Sequence, residues 1–110
     1  MPSGPASQYL ALDFGAESGR AILAQLRDGI LTTQEINRFK NEPVEYGGSL
    51  HWDVARLWWE VRQALDKLGE TRLAGIGVDA WGVDYALLGL CAALLIDLRG
   101  VARSVSILVS

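Results

Sequence analysis

The chain has 110 residues, half of them apolar and 21% charged. That composition folds, because a disordered chain carries fewer Leu, Ile and Val and a larger charge imbalance, and the length sets one domain with one core as the ceiling. Ten Lys and Arg against thirteen Asp and Glu leave a net charge of -3, which excludes a general electrostatic pull toward nucleic acid or anionic lipid. One cysteine, Cys91, and one histidine, His51, exclude an internal disulfide and a structural zinc site, so a reducing cytoplasm is the expected compartment.

Met1 to Ser7 carries Pro2, Gly4 and Pro5 without a basic residue or an apolar core, and reads as a disordered tail instead of a secretion signal. Gln8 to Phe14 is a short, mostly apolar run ended by Gly15, the pattern of a buried strand that delivers an acid, Asp13, near its C-terminal end. After Gly15-Ala16-Glu17-Ser18-Gly19, a second strand is expected over Arg20 to Leu26. Asp28-Gly29 is a hairpin signal, since both residues accept positive φ at low cost, and a third strand over Ile30 to Arg38 should pair antiparallel with the second. Asn41 to Ser49, with Pro43, Gly47 and Gly48, reads as an irregular connection.

The period then changes from two to 3.6. Val54, Leu57, Trp58, Val61, Ala64, Leu65 and Leu68 fall on one face of a helix that Asp53 can cap at its start and Gly69 at its end. Arg56 with Glu60 and Arg62 with Asp66 stand four apart and are expected on its wet side, as solubility features. Trp58 and Trp59 read as helix packing and His51 as a loop or cap residue. Leu73 to Asp79 is a near-continuous apolar run after a helix, the signature of a covered, parallel strand placed by a crossover, and it too ends in an acid. Trp81 to Asp84 should turn and Tyr85 to Leu88 begin another strand. The apolar stretch Tyr85 to Ile96 is about a dozen residues, short of the roughly 20 that span a bilayer, and Cys91 within it reads as an inert buried thiol.

Ligands of open α/β sheets bind beyond the carboxyl ends of strands, so two acid-ended strands could face one crevice. Around Asp13, Gly15 and Gly19 would let backbone amides approach a ligand, and Ser18 adds a hydroxyl, a donor set suited to phosphate oxygens. Asp13 would repel phosphate directly; its useful role is to hold Mg²⁺ through water, with Arg20 orienting the loop or neutralising charge. The same Asp-x-Gly is equally an ordinary strand-to-turn signal, and the loop lacks the Gly-Lys-Ser/Thr of a Walker A motif. Asp79, Trp81, Gly82 and Asp84 form a plausible sugar surface, acids accepting hydroxyl hydrogen bonds and an indole covering C–H faces; they read also as a tight turn with a core Trp. Gly75-x-Gly77-x-x-Ala80 matches a relaxed dinucleotide fingerprint, but its glycines fall within the expected strand instead of after it.

Taken together, Leu12-Asp13-Phe14-Gly15-Ala16-Glu17-Ser18-Gly19-Arg20, Glu35-Ile36-Asn37-Arg38-Phe39, Trp52-Asp53-Val54 and Gly77-Val78-Asp79-Ala80-Trp81-Gly82-Val83-Asp84-Tyr85 resemble the N-terminal region of the FGGY family of carbohydrate kinases. The likeness runs from Tyr9 to Leu88. It implies an α/β fold of the ribonuclease-H-like, actin-like ATPase type, truncated to an N-terminal subdomain: a mixed sheet with three antiparallel opening strands and a crossover helix. It implies ATP with Mg²⁺ and a ketose acceptor, L-rhamnulose phosphorylated at its 1-hydroxyl. By the same likeness Ala16 to Arg20 match the ATP-contacting loop, Gly82 matches a substrate-contacting glycine, and the partners are a nucleotide and a small sugar; net charge and the short apolar runs set the expectation of no nucleic acid and no membrane.

The family's catalytic base and adenosine-binding segments lie downstream of anything present, so no catalytic residue is assigned and the isolated chain is expected to be inactive. The alternative is a non-catalytic remnant or small binding module of the same fold. The expected layout is a tail over 1–7, the kinase-like domain over 8–88, and an atypical apolar tail over 89–110 without family likeness. The abrupt loss of resemblance is expected from a frameshift or premature stop, which translation of the gene in its other frames past the Leu88 codon would check. If an apolar face of the sheet is left exposed, Leu90 to Ile96 is expected either to collapse onto it or to promote self-association.

Overall fold

The computed structural model describes residues 4–80 and the backbone of two further strands, at Tyr85–Leu88 and Val105–Leu108. Three strands open the chain: β1 (Ser7–Phe14), β2 (Ser18–Arg27) and β3 (Ile30–Lys40), antiparallel in sequence order. Asp28 and Gly29 join β2 to β3 at φ of 51° and 76°, the doubly left-handed geometry that suits a two-residue hairpin. After β4 (Pro43–Tyr46), β5 (Ser49–Trp52) and α1 (Val54–Leu68), the chain returns as β6 (Gly75–Ala80) and pairs parallel to β1, from Tyr9 opposite Gly75 to Phe14 opposite Ala80. The sheet order is β3-β2-β1-β6, a mixed α/β arrangement with one crossover helix, as expected.

Alternation along β1 sorts its side chains between two faces. Leu10 and Leu12 turn toward α1 and join Ala21, Ala64 and Leu68 in the buried core, which Phe14, Leu23, Ile36, Val61, Leu65 and Leu73 extend. Each fully buried Leu contributes about 1.5–3 kcal/mol relative to exposure. Tyr9, Ala11 and Asp13 take the opposite face. The helix begins where the Asp53 carboxylate accepts the Arg56 backbone N–H at 3.0 Å, and it ends where Gly69, at φ 56°, donates its N–H to the carbonyls of Leu65 and Asp66.

Four expectations are corrected. The span 41–49 is not irregular: Gly47 and Gly48, at φ 59° and 79°, close a β4–β5 hairpin, with Pro43 at the first strand position where its missing N–H does no harm. This hairpin lies in a second sheet, ordered β4-β5-β8-β7, in which β7 is Tyr85–Leu88 and β8 is Val105–Leu108. Glu60 is not on the wet side of α1 but 5% exposed, accepting from Asn37 Nδ2 at 2.7 Å and Arg56 Nε at 2.9 Å. A register shift in β3 beside Asn37 leaves that residue facing the helix, and Lys67 also donates to its Oδ1. Arg62 and Asp66 are exposed on the wet side as expected, without an ion pair between them among the described residues. Trp58 and Trp59 are half exposed instead of packed, and the Arg56 guanidinium stands 5.5 Å from the Trp59 ring centroid. Finally, among the described residues β6 is an edge strand that no helix covers, and α1 packs over β1 to β3 instead.

Candidate functional site

Parallel pairing sets the geometry of the site. Because Asp13 stands opposite Asp79, the turn that leaves β1 and the chain that leaves β6 emerge at the same end of the sheet. Paired residues share a face, and the pairing continues from Asp13 to Arg20 and from Arg20 to Arg38. A row of two acids and two arginines therefore crosses all four strands on the face away from α1. Arg20 Nη2 donates to Asp13 Oδ2 at 2.5 Å, with both side chains about one-third exposed. Arg38 donates two hydrogen bonds to Glu35, at 2.9 and 2.8 Å. A strand would send residues three apart to opposite faces; the register shift between them returns Glu35 to the face of Arg38. Those hydrogen bonds, with the charges of Arg38 and Arg20, hold the Glu35 carboxyl below its ordinary range.

The loop after β1 is a tight turn. Gly15 donates its N–H to the Ser18 carbonyl at 3.0 Å, so that amide is committed within the turn. A Cβ on Gly15 would come within 2.8 Å of the Ser18 oxygen, and one on Gly19 would stand well inside contact distance of Phe39 Cζ. Both glycines are thus required by the chain's own packing. Among the described residues, the amides of Ala16 and Glu17 and the Ser18 hydroxyl donate to no protein acceptor, which leaves three donors on one turn. Asn41, buried at the end of β3, donates its side-chain amide to the Gly15 carbonyl at 2.8 Å and its backbone N–H to the Glu17 carbonyl at 2.9 Å.

On the helix side of the same end lies an apolar cavity of about 310 Å³ whose lining includes Phe14, Asn41, Trp52, Leu57, Trp58 and Ala80. The sheet separates it from the face carrying Asp13 and Asp79. Trp81, Gly82 and Asp84, expected on the sugar side, lie outside the described residues, as does Cys91. Sequence reasoning missed Asn41 and Phe39. An Asn just before Glu42-Pro43, where the chain must leave the sheet, was the available signal, because Asn side chains readily satisfy nearby backbone groups at such exits.

A rhamnulokinase of Bacteroides thetaiotaomicron is 44% identical to the chain over 84 residues, which are 74% of this chain and 17% of that protein. The chain is similar to rhamnulokinases. One from Klebsiella pneumoniae strain 342 is 45% identical over 83 residues, and one from Bacillus subtilis strain 168 is 41% identical over 83 residues, each again 17% of the relative's length. The resemblance to an N-terminal part of an FGGY-type carbohydrate kinase stands on these matches. The chain thus spans about a sixth of the length of the curated rhamnulokinases it matches, and no family model matches it. Among the described residues no helix is long and apolar enough to cross a membrane.

Proposed function

We propose that this rhamnulokinase-like segment supplies the nucleotide-phosphate turn and part of the acceptor side of an ATP-dependent sugar kinase of ribonuclease-H-like, actin-like fold. The reaction is transfer of the γ-phosphoryl group of MgATP to the 1-hydroxyl of L-rhamnulose. The observation that carries this reading is the parallel register of Asp13 with Asp79, which gives a donor-rich turn and the approach to the second motif a common end of the sheet. Identities of 40–45% to rhamnulokinases support the choice of acceptor.

In this reading the Ala16 and Glu17 amides and the Ser18 hydroxyl donate to phosphate oxygens, Gly15 and Gly19 allow the tight turn, and Arg20 offsets phosphate charge. Asp79, followed by Trp81, Gly82 and Asp84, receives the sugar, carboxylates accepting from its hydroxyls. Among the described residues no group of three or more ligand-type side chains could enclose a metal ion. Magnesium that retains water and phosphate ligands needs only one or two carboxylates, and Asp13, whose other oxygen is taken by Arg20, fits that role through water. When bound, the ion neutralises charge on the phosphates. The sugar O1–Pγ bond forms as the bond from Pγ to the β,γ-bridging oxygen breaks. ADP departs with that electron pair, and the hydroxyl proton passes to a base supplied from outside this segment.

The test is titration of the 110-residue chain with MgATP, followed by backbone amide shifts. Saturable shifts at residues 16–20 that weaken at least tenfold in Asp13→Ala are expected. Absent shifts, or shifts indifferent to that substitution, would overturn the phosphate assignment. A coupled ADP-release assay with L-rhamnulose should give flat traces for the isolated chain.

A further inference from the structure

Asn41 is 7% exposed and makes two hydrogen bonds to a turn 24 to 26 positions earlier in sequence, at the Gly15 and Glu17 carbonyls. Among the described residues the amides of Ala16 and Glu17 donate to no protein acceptor. The Gly15 oxygen shares its peptide plane with the Ala16 N–H, so anchoring it sets the direction of that donor; the Glu17 oxygen shares its plane with the Ser18 N–H, so the Glu17 amide lies between two anchored planes. We infer that Asn41 is a positioning residue: it holds the β1–β2 turn in the shape it presents to phosphate. This rests on the reading of that turn given above. Asn41 touches no phosphate itself; it acts through the turn, and its place in the wall of the apolar cavity puts it between the two features of this end of the sheet.

The side chain is required as a donor, because its partner is a carbonyl oxygen. In Asn41→Asp the shape is kept but a carboxylate faces the Gly15 oxygen, and only the protonated acid can donate to it. Asn41→Ser is uncharged and falls short in reach. Amide hydrogen exchange on the 110-residue chain and both variants reads the turn through the Gly15 and residue-41 amides, and the core through the Leu10 and Leu12 amides. At neutral pH both variants should lose about tenfold or more of the turn's protection while the core keeps its own. Near pH 3.5, below the usual Asp value of about 3.9, Asn41→Asp should recover toward the parent and Asn41→Ser should not. The parent at both pH values controls for Glu17, Lys40 and Glu42, the charged groups around residue 41.

Unchanged turn protection in a folded variant overturns the inference, as does loss in Asn41→Asp without recovery in acid. If Asn41→Asp does not fold, Asn41→Ser at neutral pH decides alone. MgATP titration of the same samples separates the two readings. A loosened turn with MgATP affinity reduced in step supports both. An unchanged turn with MgATP still bound by the parent sinks the role of Asn41 and leaves the phosphate assignment standing. A loosened turn with unaltered MgATP affinity overturns both the phosphate assignment and any positioning toward it.

Discussion

β1 and β6 are near twins in sequence, each a mostly apolar run that ends around an aspartate, and they lie side by side in parallel register. Their surroundings differ. Leu10 and Leu12 are 0% and 6% exposed, whereas Ile76 and Val78 are 56% and 64% exposed. The pattern of a strand specifies that it enters a sheet; what covers it is decided by where the crossover helix lies, and α1 lies over β1 to β3. The largest expected effect follows. Leu12→Ala should cost about 2–5 kcal/mol in denaturant unfolding, while Val78→Ala should stay within about 0.5 kcal/mol. Equal losses would break the contrast.

Glycines sharpen it at a smaller scale. Gly19 in β2 carries the Phe39 ring where a Cβ would stand, with the Phe14 ring 6.3 Å beyond, centroid to centroid. Gly77 in β6 has nothing within 4 Å of that position. Gly19→Ala should therefore cost about 1–3 kcal/mol through displacement of Phe39, and Gly77→Ala should be neutral or stabilising by up to about 1 kcal/mol, both read from thermal midpoints. Smaller again is the Asp13–Arg20 pair. Partly exposed, it is worth at most about 1 kcal/mol, and Asp13→Asn should weaken MgATP binding far more than it lowers the unfolding midpoint.

The smallest effect is the acid response of Glu35. Arg38 lowers its folded-state pKa through hydrogen bonds, so the associated stabilisation is complete above the ordinary glutamate value and fades as pH falls through the lowered one. Carboxyl titration by NMR should place its midpoint below that of an ordinary glutamate, and Arg38→Gln should return it there. An unmoved midpoint in the variant would remove Arg38 as the cause.

Most of the β3-β2-β1-β6 sheet was readable from periodicity and turn chemistry. Asp28-Gly29 demands a hairpin, Asp53 and Gly69 bracket a helix, and an apolar run after a helix returns parallel. What escaped was long-range. Glu60 follows the spacing of a surface ion pair, and only a bulge far away in β3 supplies the Asn37 amide that keeps its burial satisfied. Gly15 and Gly19 stand where a phosphate loop would have glycines, yet their own neighbours explain their size. Of the acids, Asp13 and Asp79 could be foreseen as strand-end groups, whereas for Asn41 the local pattern marks only an exit from the sheet; which carbonyls it clamps depends on the end of β3 meeting the turn.

The claim beneath all of this is that Asp13 and Asp79 are lateral neighbours on parallel strands. Inter-strand nuclear Overhauser contacts test it directly. The account predicts a parallel ladder of backbone contacts from Tyr9 and Gly75 through Asp13 and Asp79 to Phe14 and Ala80; an antiparallel ladder, or none between these strands, would contradict it.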